Sequence, residues 1–81
     1  SLQRLRQLHE AGIDYVKVDA GLVRDVASND AVRAYAHSLV ALLHGLRLLA
    51  LADGVNDAAD LAVLWALGFD GASGPALRPS A

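Results

Sequence analysis

Polar side chains lie where three apolar segments of the 81-residue chain come to an end. The segment Tyr15–Asp19 alternates in polarity, so a strand there places Lys17 and Asp19 on one face. Both residues are costly inside a sheet unless they are paired or lie at its open end. Asp53 follows the second apolar segment and Ser73 follows the third. Because parallel α/β proteins build their sites at the carboxyl ends of strands, these side chains are candidates for a binding or catalytic site.

The same positions also have a purely structural explanation. Lys17 and Asp19 could form an ion pair that closes the end of their strand. Asp53, which precedes Gly54, could simply begin a turn. Position along the chain does not distinguish a functional site from a purely structural role. Both interpretations therefore stay open on these residues alone.

The elements that would position these residues form three successive helix–glycine–strand units. Leucines at helical spacing, N-cap residues and helix-ending glycines mark the helices, and short apolar runs mark the strands. The predicted elements are a helix through Leu2, Leu5 and Leu8 that ends at Gly12, a strand over 13–19, a helix from Ser28, Asn29 or Asp30 to Gly45, a strand over 47–52, a helix from Asn56 or Asp57 to Gly68, a strand over 69–72, and a loop over 74–81.

This alternation predicts an α/β fold with parallel strands joined by helical crossovers. The run from Leu48 to Ala52 is entirely apolar, as expected for a strand covered on both faces. Three such strands could form a small open sheet or the last three helix–strand units of a TIM-like (β/α)8 barrel. The hydrophobic content of 54% favours the barrel, because a chain this short has too much surface to bury that much apolar material alone.

We expect the apolar residues of the helices to form the core. On the long helix they share one stripe, which consists of Val32, Tyr35, Ala36, Leu39, Leu42, Leu43 and Leu46. The stripe is wider than one sheet face requires, so its excess could form a helix–helix interface. Trp65 is assigned to the core first and to an interface second.

Composition argues against several classes of function. Seven basic and nine acidic residues give a net charge of −2, unlike the basic face of a nucleic-acid binder. Cysteine is absent, which removes disulfides and thiolate metal sites and fits a reducing compartment. No run approaches the ~18 apolar residues of a membrane span, and the N-terminus lacks the order of a signal peptide. We therefore expect a cytoplasmic segment that neither inserts into membranes nor binds a nucleic-acid polymer.

Two further features predict no function. His9, His37 and His44 have no acidic partner at metal-ligand spacing, so we expect solvated histidines rather than a metal site. Gly71 and Gly74 lie in a segment that lacks the lysine–serine signature and the following helix of a phosphate-binding loop.

Three segments, in order, resemble the bacterial EAL domain, a family of cyclic di-GMP phosphodiesterases. Residues 13–23 are similar to the family segment vDYlKIDrsfv, residues 51–57 to iAEGVEt, and residues 64–74 to LrelGcDyaQGy. Arg78 and Pro79 resemble the closing rP. One motif alone would be weak, whereas three in the family's order with helices between them are fairly specific. The resemblance covers residues 1–81 as the C-terminal segment of an EAL domain.

The resemblance implies a (β/α)8-like barrel that hydrolyses cyclic di-GMP with a water activated by Mg²⁺ or Mn²⁺. It also implies roles for individual residues. Lys17 matches the catalytic lysine beside the nucleophilic water, and Asp19 matches a supporting aspartate. Asp53 stands at the first glutamate of EGVE, a general-base and metal position. Asn56 stands at the second glutamate, which supports an active-site loop, and Ser73 stands at the glutamine of QGY, near the nucleotide.

Several of these positions depart from the family pattern. Asp53 withdraws the carboxylate by about one methylene, and a misplacement near 1 Å can cost ~10²-fold in rate. Asn56 lacks the charge, Ser73 has a shorter reach than glutamine, and Pro75 replaces the usual aromatic residue. The family's other metal ligands belong to upstream segments that residues 1–81 do not contain. We therefore expect Asp53 to be a metal ligand only together with upstream ligands, and this chain alone to bind no metal and to be inactive.

Three interpretations of function follow. The preferred one is a degenerate EAL domain in cyclic di-GMP signalling that acts as a non-catalytic nucleotide receptor or protein-interaction module. The second is a weakly active, metal-dependent cyclic di-GMP phosphodiesterase, and the third is a structural or dimerising α/β module without a ligand. The expected partners are cyclic di-GMP in the intact domain, and either a second copy of the chain or the remainder of the barrel.

Overall fold

The computed structural model of the protein describes residues 12–77. Its elements are strand β1 (Tyr15–Asp19), a first 3-10 turn (Ala20–Val23), helix α1 (Asp30–Gly45), strand β2 (Leu49–Asp53), helix α2 (Ala58–Leu67), strand β3 (Gly71–Ser73) and a second 3-10 turn (Pro75–Leu77). The predicted helix through Leu2, Leu5 and Leu8, together with His9, Arg78 and Pro79, lies outside the described residues. All three predicted strands and both later helices are present.

The three strands form one parallel sheet in the order β1-β2-β3, which confirms the predicted α/β arrangement. Helix α1 connects β1 to β2, and α2 connects β2 to β3. The register aligns Asp19 with Asp53, and Asp53 with Ser73. The last residues of the three strands therefore form one row across the carboxyl edge of the sheet.

Side-chain caps determine where the two helices begin. Asn29 Oδ1 accepts from the N–H groups of Ala31 and Val32 at 3.0 and 3.2 Å. Asp57 Oδ1 accepts from the Ala59 N–H group at 2.7 Å. Each bond satisfies an N–H group that has no partner within its own helix. The caps are thus Asn29 and Asp57, each one of the alternatives that the sequence offered.

The membrane-spanning potential of the helices can be judged from their length and composition. Across residues 12–77, neither helix combines the length and the apolar character that crossing a bilayer requires.

The core lies on one side of the sheet, between the strands and the two helices. Alternation directs Val18, Ala50 and Ala52 to this side, and each is at most 4% exposed. They pack with Val40 of α1 and Leu64 of α2. The polar row lies on the opposite side of the sheet, so the helices position the site residues without contacting their functional face.

Two strands begin later than the sequence predicts. β1 begins at Tyr15 rather than at residue 13. β2 begins at Leu49, because Arg47 has a φ of 63°, a left-handed conformation that cannot continue a strand. The predicted strand over residues 47–52 is therefore wrong at its start, and it also extends one residue further, to Asp53.

The third strand is displaced towards the C-terminus. The Phe69 N–H group still bonds to the Leu64 carbonyl at the end of α2, so a strand cannot begin there. β3 instead runs from Gly71 to Ser73. The loop predicted to follow it contains the second 3-10 turn, which the sequence analysis did not foresee.

The predicted core stripe of α1 is only partly correct. Ala36 and Leu43 are buried, and so is Val40, which the prediction omitted. Leu42 and Leu46 are each 60% exposed. Successive helical residues point about 100° apart, and the buried positions follow a neighbouring stripe of the helix.

Two aromatic side chains predicted to lie in the core are also exposed. Tyr35 of α1 is 47% exposed and Trp65 of α2 is 44% exposed. In α2 the core position belongs to the preceding residue, Leu64, which is 1% exposed. The core assignments of Tyr35 and Trp65 are therefore wrong for the described residues.

The connection between the first 3-10 turn and α1 is held from two sides. The Asp60 carboxylate of α2 accepts from the N–H groups of Asp25 at 3.1 Å and Ala27 at 3.0 Å. Arg33 of α1 donates to the carbonyls of Val26 and Ala27. A carboxylate thus satisfies loop N–H groups and a guanidinium satisfies loop carbonyls, so the loop is ordered without regular secondary structure.

Asp60→Ala should lower the free energy of unfolding by about 1–3 kcal/mol, because two backbone N–H groups lose their acceptor. Chemical denaturation would measure the change. Asp14→Ala is a matched control, since Asp14 is exposed, and its effect should stay within about 0.5 kcal/mol. Equal losses in the two variants would contradict the role given to Asp60.

Candidate functional site

The row of strand ends brings together residues that are far apart in the sequence. Asp19, Asp53 and Ser73 are neighbours on adjacent strands, which lie about 4.8 Å apart in a sheet. Alternation along β1 places Lys17 on the same face, two residues before Asp19. All four residues are exposed. The sequence therefore predicted their proximity, while the roles implied by the family resemblance stay predictions.

Asp53 and Ser73 are joined directly by a hydrogen bond. The Ser73 hydroxyl donates to Asp53 Oδ1 at 2.6 Å. The Gly54 N–H group donates to Ser73 Oγ at 3.3 Å. A serine hydroxyl carries one proton, and here that proton is used by the carboxylate. Within residues 12–77, the other Asp53 oxygen, Oδ2, takes part in no hydrogen bond.

Asp19 interacts with its own loop rather than with Lys17. Its Oδ1 accepts from the Gly21 N–H group at 2.8 Å and caps the first 3-10 turn. The ion pairs of the described part of the chain do not include Lys17 with Asp19. The structural alternative, in which these two residues neutralise each other at the strand end, is therefore not observed.

Asn56 lies in a cleft beside the row of strand ends. The cleft, of about 220 Å³, separates the first 3-10 turn from the connection between β2 and α2. Arg24 and Asp25 also line it, whereas Asp53 and Ser73 do not. The structure thus places Asn56 in the wall of this cleft, and its supporting role stays a prediction.

Backbone contacts behind Ser73 fix its position. The Ser73 carbonyl accepts from the N–H groups of Gly54 at 3.1 Å and Val55 at 2.8 Å. Gly74 has a φ of +123°, and a Cβ atom there would lie 2.5 Å from both the N and the O of Val55. Only glycine fits this conformation and this spacing. The turn after β3 therefore rests on the turn after β2, backbone against backbone.

The described residues do not by themselves form a site for Mg²⁺ or Mn²⁺. These ions prefer oxygen ligands, and the carboxylates of Asp19 and Asp53 have that chemistry. Each carboxylate, however, already accepts a hydrogen bond on Oδ1. No group of three or more His, Cys, Asp or Glu side chains within residues 12–77 is arranged to hold an ion. That Asp53 binds a metal together with ligands beyond these residues stays a prediction.

The amino edge of the sheet contains a contact that the sequence analysis missed. His44 Nε2 lies 2.7 Å from Asp70 Oδ2, and the same oxygen accepts from the Ala50 N–H group at 2.8 Å. The Asp70 N–H group donates in turn to the Ala50 carbonyl at 2.8 Å. His44 is therefore not simply the solvated histidine expected from sequence. Spacing could not reveal its partner, which is 26 residues away.

Parallel strands, helical crossovers and a polar row at the carboxyl edge define a segment of a (β/α) barrel protein. The family model for the EAL domain matches residues 1–80, and the chain belongs to the EAL domain family. A comparison with curated proteins gives no match. The family predicted from three sequence motifs is thus confirmed.

Solved structures of EAL proteins are similar to this chain. A standalone versatile EAL protein from Vibrio cholerae O395, in its c-di-GMP bound form, shares 31% identity with a TM-score of 0.71, over 75% of this chain and 26% of that chain. The EAL enzyme Bd1971 in its cAMP bound form shares 25% identity with a TM-score of 0.71, over 93% of this chain and 21% of that chain. This chain therefore spans about a quarter or less of either structure.

Gly74→Ala should destabilise the protein by roughly 1–3 kcal/mol, because the added Cβ meets the Val55 backbone and φ is positive. Gly45→Ala is the matched control. Gly45 ends α1, a Cβ there meets no atom within 4 Å, and alanine favours helix, so stability should stay constant or rise by up to about 1 kcal/mol. Thermal unfolding of both variants checks this, and a Gly74→Ala protein as stable as the parent would refute the close approach.

Proposed function

We propose that this chain forms part of an EAL domain that acts in cyclic di-GMP signalling as a non-catalytic nucleotide receptor or protein-interaction module. The proposal includes a cytoplasmic location and Lys17, Asp19, Asp53, Asn56 and Ser73 as the residues at its site. The c-di-GMP bound form of the similar Vibrio cholerae protein supports a nucleotide ligand. The row of polar strand ends supports the placement of a ligand at the carboxyl edge.

One observation carries the non-catalytic part of this proposal, namely the bond between Ser73 and Asp53. At a position where the family has a glutamate, the shorter Asp53 carboxylate is held at 2.6 Å by the neighbouring strand. One of its two oxygens is used in that bond, and the carboxylate is drawn towards β3. Catalysis depends on placement to within about 1 Å, whereas binding is spread over many contacts. Nucleotide binding therefore survives this arrangement better than hydrolysis does.

A second candidate function is weak, metal-dependent hydrolysis of cyclic di-GMP. Lys17 favours it, because this lysine is exposed on the same face as Asp53 and forms no ion pair with Asp19. Within residues 12–77 no ion pair includes Lys17, and a lysine ammonium group suits a phosphate. In this case Mg²⁺ or Mn²⁺ would be bound by Asp53 together with ligands from outside the described residues.

Asp53→Glu combined with Asn56→Glu tests the cause of the proposed loss of catalysis. In the full protein that carries this chain, the pair should raise the rate of cyclic di-GMP hydrolysis by about tenfold or more, since it returns a carboxylate towards its family position. Nucleotide affinity should change less. Single-turnover hydrolysis at saturating Mn²⁺ measures the rate, and isothermal titration measures the affinity.

Asp14→Glu serves as the control, because it lengthens an exposed carboxylate away from the row of strand ends. No gain in the double variant would count against Asp53 as the source of the defect. Rapid hydrolysis by the unmodified protein would replace the receptor proposal with the phosphodiesterase one. Absence of any cyclic di-GMP binding would leave only the structural module.

The exposed apolar side chains lead to a separate proposal about association. Tyr35 and Leu42 of α1, Leu46 directly after α1, and Trp65 of α2 are each 44–60% exposed. Exposed apolar area of this kind is costly in water and marks surfaces that other chains or domains cover. Residues 1–81 expressed alone should therefore self-associate at tens of micromolar. Light scattering checks this, and a stable monomer would show that the surface needs no partner.

A further inference from the structure

We propose that Ser73 is a positioning residue for Asp53, and that it influences the nucleotide site only through that carboxylate. This inference rests on the proposed function, because it concerns the same site. It differs from the family resemblance, which places residue 73 near the nucleotide itself. The observation behind it is the directed hydrogen bond between the two side chains at the ends of β3 and β2.

The direction of that bond follows from the neighbours of the hydroxyl. Ser73 Oγ accepts from the Gly54 N–H group at 3.3 Å, so the hydroxyl proton points elsewhere. The acceptor in reach is Asp53 Oδ1 at 2.6 Å. With its proton used in this way, Ser73 has no donor left for a ligand. The described contacts therefore orient Ser73 towards the carboxylate and not towards a nucleotide.

The backbone makes this arrangement rigid. Gly54 donates to the Ser73 carbonyl as well as to its hydroxyl, and Val55 donates to the same carbonyl at 2.8 Å. Gly74 lies directly against the Val55 backbone, and a Cβ atom at position 74 would clash with it. The backbone of Ser73 is thus fixed, and its hydroxyl oxygen accepts from the Gly54 N–H group. The hydroxyl proton then orients the Asp53 carboxylate. Asp53 Oδ2 is the oxygen that stays available for the ligand side of the site.

Two short side chains replace two long ones at these positions. Relative to the family's glutamate and glutamine, Asp53 and Ser73 are each shorter, and both changes occur on neighbouring strands in direct register. The direct 2.6 Å contact spans the gap between the strands. The two departures therefore act as one unit, and an effect of changing Ser73 should depend on the presence of the Asp53 carboxylate.

A double-mutant cycle on the full protein that carries this chain tests the dependence, with cyclic di-GMP as the probe. Ser73→Ala should weaken binding by about 3–10-fold in the parent, and Ser73→Thr, which keeps the hydroxyl, should stay within about twofold. In an Asp53→Ala background, Ser73→Ala should have no further effect. Ser38→Ala, at an exposed serine of α1, is the matched control and should change nothing.

Equal weakening by Ser73→Ala in both backgrounds would overturn the proposal, because Ser73 would then contact the nucleotide itself. Unchanged binding in the parent background would also overturn it. A ligand-independent measurement separates this failure from failure of the proposed function. The carboxyl ¹³C signal of Asp53 should shift in Ser73→Ala and return in Ser73→Thr, while that of Asp19 stays constant. If the protein binds no cyclic di-GMP, the receptor function fails, and the Asp53 signal alone decides whether Ser73 orients the carboxylate.

Discussion

The pairing of β2 with a parallel strand on each side is the constraint on which the site depends. Because β2 is central, its register places Asp53 between Asp19 on one neighbour and Ser73 on the other. A shift of one residue would turn Asp53 towards the helices and bring an apolar residue to the functional face. The same alternation buries Ala50 and Ala52 against the helices, so the packing of the core and the placement of the site fix the same register.

The two edges of the sheet are held together by different means. At the amino edge, the Asp70 carboxylate bonds to His44 and to the Ala50 N–H group, and the Asp70 N–H group donates to the Ala50 carbonyl. At the carboxyl edge, the backbones of the turns hold each other, with Gly74 in a position that excludes a side chain. Three side-chain atoms at this edge, Asp19 Oδ1, Asp53 Oδ1 and Ser73 Oγ, already take part in hydrogen bonds, whereas Asp53 Oδ2 takes part in none within residues 12–77. Contacts that stabilise the sheet therefore lie at both of its edges, and the candidate site lies at the carboxyl edge.

The sequence predicts this architecture well where the signal is local. Caps such as Asn29 and the alternation in β1 depend on a few consecutive residues, and they identify the correct elements. The buried face of α1 is less predictable, because a helix of mostly apolar residues offers several stripes and only the neighbours select among them. Contacts such as Asp60 with Ala27 were not predictable, because nothing in the spacing of the two residues marks them as partners.

Asp53 and Ser73 form a connected pair in the structure, although a sequence motif treats them as separate positions. Taken singly, Asp53 and Ser73 are two losses relative to the family pattern, each with a shorter side chain. In the sheet they are in register and bonded to each other, so the loss of length in one is matched by the other. A substitution that shortens one site residue can therefore be matched by a second substitution that keeps the two side chains in contact. Whether a site has degenerated depends on the contacts between its residues, and a sequence motif does not show those contacts.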